Sequence, residues 1–102
     1  MVVLYTEIQQ NIMDEMERVW LVERTYSDDE QNLIILTYAT MDGRYEFRKE
    51  RAVTSFSGSE RETSASLLVE QDNLALVDEK TRKQYADEVT RMKEKHDPDD
   101  AI

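Results

Sequence analysis

The chain has 102 residues and a formal charge of −10, with no cysteine, one histidine, one proline and two glycines. That length holds one domain with one modest core, and the lack of cysteine removes disulfides, thiolate metal sites, iron–sulfur clusters and thiol nucleophiles together. With glycine only at Gly43 and Gly58, neither a dinucleotide fingerprint nor a Walker-type phosphate loop can be written, and His96 alone cannot form a two-histidine zinc site.

The opening MVVLY is apolar but lacks a basic leader and soon reaches Glu7, so it does not read as a secretory signal. No run approaches the roughly 18 apolar residues of a membrane span. Absent cysteine fits a reducing compartment, and the expected location is the cytoplasm. In residues 1–15, Leu4 or Tyr5, Ile8 and Ile12 recur at helical spacing, the pattern of a short helix packed on the rest. The competing reading makes this segment a start-site extension, with Met16 as the native start. Residues 16–96 read as the single domain and 97–102 as an acidic tail.

A β-meander follows. Val19–Tyr26, Asn32–Thr40 and Arg44–Ala52 are β-branched, aromatic or alternating runs, the signature of strands. SDDEQ is the first turn. Met41-Asp42-Gly43-Arg44 is the second, and its Asp-Gly signals a two-residue hairpin with positive φ at both central positions. Such a turn sets Thr40 opposite Tyr45, Tyr38 opposite Phe47, Leu36 opposite Lys49 and Ile34 opposite Arg51. One face then gathers Ile34, Leu36, Tyr38, Tyr45 and Phe47, which make cross-strand apolar contacts. The other, carrying Thr37, Ala39, Glu46 and Arg48, is expected to be wetter. Because Leu33–Leu36 is apolar on both faces, the second strand is expected to be central and covered on each side.

Val53–Ser64 reads as a polar loop around Phe56. Ala65–Glu70 is expected to add a strand and Leu74–Val77 a short lead-in beneath a helix, although either run also suits a helix. That C-terminal helix starts at an Asp78 cap and runs to about Lys95. Tyr85, Val89 and Met92 form its narrow apolar stripe. Lys93, Lys95 and His96 suit its negative end, and Asp97-Pro98 stops it. The fold class is therefore α+β: an antiparallel meander of three to four strands packed by a C-terminal helix.

Charge is unevenly spread. Residues 44–51 set Arg44, Arg48, Lys49 and Arg51 against Glu46 and Glu50 for +2, and residues 77–96 set six bases against five acids for +1, while every other segment is negative. Bases thus concentrate in one strand and one helix. Interleaved acids and bases argue against a nucleic-acid mimic and for a solvated acidic surface.

The strand RYEFRKER is the best functional candidate. Arg44, Arg48, Lys49 and Arg51 beside Tyr45 and Phe47 have the composition for gripping phosphates and stacking bases, yet in a strand only Lys49 and Arg51 share the aromatic face. Solvent-facing bases paired with Glu46 and Glu50 are the plainer reading. Trp20, Tyr26 and Phe56 form a candidate hydrophobic interface if exposed together; buried, Trp20 is simply core.

Other constellations carry less. Around Gly58, Phe56 stands where a nucleophile-elbow serine would be and Thr54 where its first glycine would be. His96, Asp97, Asp99 and Asp100 could hold a divalent ion weakly, but read better as a frayed helix end. Asp28-Asp29 falls in a turn and Asp87-Glu88 on the helix's wet face, without a pocket to tune either pair.

SDDEQ, the closing HDPDDAI and the run DNLALVDEKTRKQYADEVTRMKEKHDPDD resemble small uncharacterised acidic proteins of halophilic archaea. The resemblance spans residues 16–102, is one of style, and transfers no site residues. It implies a cytoplasm of molar potassium, where the Debye length is about 3 Å and self-repulsion is screened. The expected function is a non-enzymatic interaction module that binds a protein partner or its own copy through a strand edge or the aromatic face. The alternative is a nucleic-acid- or ribosome-associated factor using Arg44, Arg48, Lys49 and Arg51. No catalytic residue, cofactor, metal, membrane or small-molecule ligand is expected. Folding should weaken in low salt; circular dichroism unchanged between dilute buffer and molar KCl would refute that dependence.

Overall fold

The structure, a computed structural model, describes residues 15–26, 33–52 and 63–102. The expectations for residues 1–14 and for Phe56 with the loop around it lie outside these. Four main strands, β1 (Met16–Tyr26), β2 (Leu33–Ala39), β3 (Tyr45–Ala52) and β4 (Ser66–Glu70), are followed by a 3₁₀ turn at Gln71–Asn73, a short β5 (Ala75–Leu76) and the helix α1 (Glu79–Lys95). All pairings are antiparallel, in the order β4-β1-β2-β3-β5. The class is α+β, with one strand more than the upper expectation. β5 is the addition: the run read as a lead-in pairs instead with the start of β3, burying Val77 while Leu76 stays exposed.

The β2–β3 register is the one the hairpin implies, with Tyr38 opposite Phe47, Leu36 opposite Lys49 and Ile34 opposite Arg51. The turn itself differs. Gly43 N–H donates to the Thr40 carbonyl at 2.9 Å, so Met41 and Asp42 are the central residues of a β-turn, and Gly43, at φ +73°, brings the chain out of it. Asp42 locks this loop: its carboxylate accepts from Thr40 Oγ1 at 2.8 Å and from Arg44 N–H at 3.0 Å. The Arg44 backbone bond is the main reason its pKa lies below the usual carboxylate value.

β2 is buried on both faces, as its unbroken apolar run requires. Leu36 and Tyr38 are 1% exposed on one face, Thr37 and Ala39 2% and 0% on the other. The second pair corrects the expectation of a wetter face, since this is the face α1 covers. The reason is size: Thr37, Ala39 and Gly43 are small and let a helix approach closely, while Glu46 and Arg48 bond each other at 3.0 Å beside it. Tyr85, Val89 and Met92 are the residues α1 buries, each worth about 2–3 kcal/mol in apolar area removed from water. Asp78 occupies the N-cap position without a side-chain cap bond, so its contribution is the charge it brings to the helix dipole.

Residues 63–102 wrap the meander. From β4 the chain crosses the end of the sheet, where Gln71 N–H meets the Glu15 carbonyl, and reaches β3 as β5. Helix α1 then returns over the Thr37/Ala39 face. The loop closes where Ser66 N–H donates to the Pro98 carbonyl at 3.1 Å, Ala65 N–H to that of Asp100 at 2.8 Å and Ile102 N–H to that of Thr63 at 2.8 Å. This corrects the reading of 97–102 as a free acidic tail and of His96 onward as a frayed end: unpaired backbone groups of the segment entering β4 hold those residues.

Gly43 is where wrap and meander touch. A Cβ built there would lie 2.1 Å from the Arg82 carbonyl oxygen and 2.9 Å from the Ala86 nitrogen. Gly43→Ala should therefore lower stability by about 3 kcal/mol in urea unfolding, combining left-handed strain with a backbone clash. A loss below about 1 kcal/mol, the conformational cost alone, would show that α1 does not rest on the turn.

Candidate functional site

In an antiparallel strand the N–H and C=O of one residue point to the same side, and successive residues alternate. Thr40 N–H donates to the Tyr45 carbonyl, so Tyr45, Phe47, Lys49 and Arg51 turn their backbone groups toward β2. Val77 N–H donates to the Arg44 carbonyl; Arg44, Glu46, Arg48 and Glu50 therefore turn theirs outward. β5 covers only Tyr45 and Glu46. Past that point, among the described residues, the outward groups of Arg48 and Glu50 have no partner strand. The opposite edge, β4, is short and receives the 98–102 segment at its start.

The side chains on the open edge are held differently on its two faces. Arg48 donates Nε–H to Glu46 Oε1, which raises the guanidinium pKa above its ordinary value, and lies against Tyr85. Burial first, then the Glu23 and Glu46 carboxylates, push the Tyr85 phenol up. On the other face Lys49 is exposed, while Arg51 is half-buried and donates to Thr63 Oγ1 at 2.8 Å. Near Arg51 on that face, Tyr38 donates its hydroxyl to the Ser64 carbonyl at 2.9 Å; burial raises its pKa, and Arg51 and Arg24 partly offset the rise.

The four candidate bases therefore do not form one patch. Arg44 sits in the hairpin loop, Arg48 faces the helix, and Lys49 and Arg51 share the far face. The two positive segments do meet, because Val77 N–H donates to the Arg44 carbonyl at 2.8 Å. Their bases are nevertheless offset there: Arg48 by Glu46, Lys83 by Asp87 and Arg91 by Glu88. Asp87 and Glu88 thus pair with helix bases, and, against the expectation that no pocket adjoins them, both line a cavity of about 330 Å³ with Val22, Gln84, Tyr85 and Arg91. His96 Nδ1 lies 3.6 Å from Asp100 Oδ2, and the same oxygen accepts Asp97 N–H, so this acidic cluster serves as a turn that leads into the closing segment.

Sequence reasoning missed a half-open cavity of about 680 Å³ at the crossed end of the sheet, where Glu17, Asp42 and Asp72 meet Met41, Tyr45 and Leu74. It draws on separate stretches of chain, so no local motif could reveal it. Arg18, Thr40 and Gln71 complete its lining, so carboxylates, a guanidinium and a hydroxyl already bonded to Asp42 stand beside its apolar side chains.

Residues 13–102 match the model of a family of unknown function, DUF7967. The chain matches no curated protein and no solved structure.

The candidate hydrophobic trio does not assemble as proposed from sequence. Tyr26 is 64% exposed, but Trp20 is 4% exposed. Its strand pairs it with Ala39 on one side and Ser66 on the other, on the face that α1 covers. A tryptophan so placed is core and is withdrawn from any interface. As the chain's single tryptophan, it should give blue-shifted fluorescence that resists iodide quenching in the native state and becomes quenchable on unfolding. Strong quenching of the folded protein would contradict this placement.

Proposed function

The chain belongs to that family of unknown function, and from its own geometry we propose that it is a non-enzymatic interaction module that docks an extended protein strand along the outer edge of β3. The observation that carries this reading is the alternation of β3: Arg48 and Glu50 direct their backbone donors and acceptors away from β2, past the point where β5 stops. Adding a strand to such an edge supplies main-chain hydrogen bonds, and the alternating side chains select the partner. Here the selecting side chains are Arg48 and Glu50 on the helix face and Lys49 on the other.

Charge on this edge also keeps the isolated protein from indiscriminate pairing. A partner must satisfy Arg48, Lys49 and Glu50 with complementary groups, so the device that protects the edge also makes it specific. The acidic remainder of the surface favours solubility, consistent with work in a salt-rich cytoplasm. The alternative of a nucleic-acid- or ribosome-associated factor draws less support, because Arg44, Arg48, Lys49 and Arg51 point in different directions and several neighbouring bases are paired with acids.

Proline tests the edge directly. At position 50 it removes an outward N–H and leaves the β2–β3 ladder intact, since Glu50 does not donate to β2. Glu50→Pro should preserve the circular dichroism spectrum and abolish co-purification of partners from host lysate at native salt. A variant that folds and retains every partner would refute docking at β3.

A further inference from the structure

The open stretch of β3 has a symmetry that names an occupant. It runs from Phe47, just past the β5 pairing at Glu46, to Arg51, beside the strand's last residue Ala52. Its midpoint is Lys49. If this stretch pairs antiparallel with a second copy of itself over its full length, the twofold axis passes through Lys49. The backbone alternation permits that register, because it sets Arg48 and Glu50, both outward, opposite one another. Sliding the register by two residues in either direction, which moves the axis by one, sets Arg48 against Arg48 or Glu50 against Glu50.

Charge therefore selects this arrangement. Resting on the reading of β3 as a docking edge, we infer that its partner is a second copy of this chain, joined by an antiparallel β3–β3 pairing with Arg48 opposite Glu50 of the partner subunit and Glu50 opposite the partner's Arg48. Both ion pairs lie on the helix face of the continuous sheet. A twofold interface must be self-complementary in this way, and opposite charges directly across strands stabilise the pairing while like charges oppose it. In this register Ala52 falls opposite Glu46 of the partner subunit, the position that β5 already pairs through Ala75, so the paired stretch ends at Arg51 and Ala52 must turn out of the strand line.

One position works against association. The two copies of Lys49 stand directly opposite each other on the far face, and their repulsion is reduced by salt. Main-chain bonds over so short a stretch are few, which places the dimer among weak, concentration-dependent associations.

Sedimentation equilibrium of the full chain across a protein concentration series, at molar KCl, tests the pairing. A dimer is expected at high concentration. Arg48→Glu and Glu50→Arg should each loosen it by about tenfold, since each places like charges opposite one another at both symmetry-related sites. The double variant R48E/E50R should restore it, and Lys49→Thr should tighten it. Arg48 also touches Tyr85, so E50R and K49T, at exposed positions, keep the test independent of any loss of folding in R48E. A protein that stays monomeric throughout, or a dimer indifferent to these charges, overturns the inference. If the monomeric protein still captures a partner that Glu50→Pro releases, the second copy is the wrong occupant and the docking edge stands; if it captures none, both fail.

Discussion

At Gly43 the backbone of the β2–β3 hairpin and the backbone of α1 approach more closely than any side chain would allow. The Arg82 carbonyl occupies the space a Cβ would need, and the left-handed φ is one that glycine adopts without strain. Most of the architecture depends on this contact. It seats the N-terminal half of α1 on the turn, and with that end seated the stripe of Tyr85, Val89 and Met92 falls across the Thr37/Ala39 face. From there the helix delivers residues 97–102 to the far edge of the sheet. A chain with only two glycines has placed one where turn geometry and helix packing make the same demand.

The wrap formed by residues 63–102 explains how a small domain holds its sheet closed. Its two ends bond each other through Thr63–Ser66 and Pro98–Ile102, so the meander is enclosed by one continuous stretch of chain. Arg24 adds to this closure by donating to the Ile102 main-chain oxygen. At β4 the closure takes up the outward Ser66 N–H, leaving Leu68 and Glu70 without a partner strand among the described residues. Among the described residues the outer edge of β3 stays open past β5, and it carries the chain's most positive segment. Protection against unspecific strand addition and selection of a specific partner rest on the same side chains there.

Several features were legible in the sequence because they are local. The β2–β3 register follows from a tight turn and a period of two, and Tyr38 does face Phe47. The apolar stripe of α1 follows from a period of 3.6, and the continuous apolar run of β2 announced a strand buried on both faces. What was not legible depends on contacts between distant segments. The Thr37/Ala39 face was expected to be the wetter one because hydrophobicity favoured the aromatic face; the small residues Thr37, Ala39 and Gly43 decided otherwise by permitting the close approach of α1. Trp20 was ambiguous for a related reason, since a strand alternation alone does not say which face a helix will cover. The 97–102 segment looked like a tail because its acids favour water, whereas its backbone groups found partners in residues 63–66.

By itself the sequence determined the three meander strands and the C-terminal helix, the hairpin register, the helix's buried stripe and the concentration of bases in one strand and one helix. These are consequences of side-chain periodicity and turn chemistry over a few residues. Only the tertiary structure decided that the most positive strand lies next to the edge and that β5 covers its beginning and stops. An edge is defined by what does not pair with it. That is a property of the whole sheet, settled by where distant segments close, and no local stretch of sequence contains it.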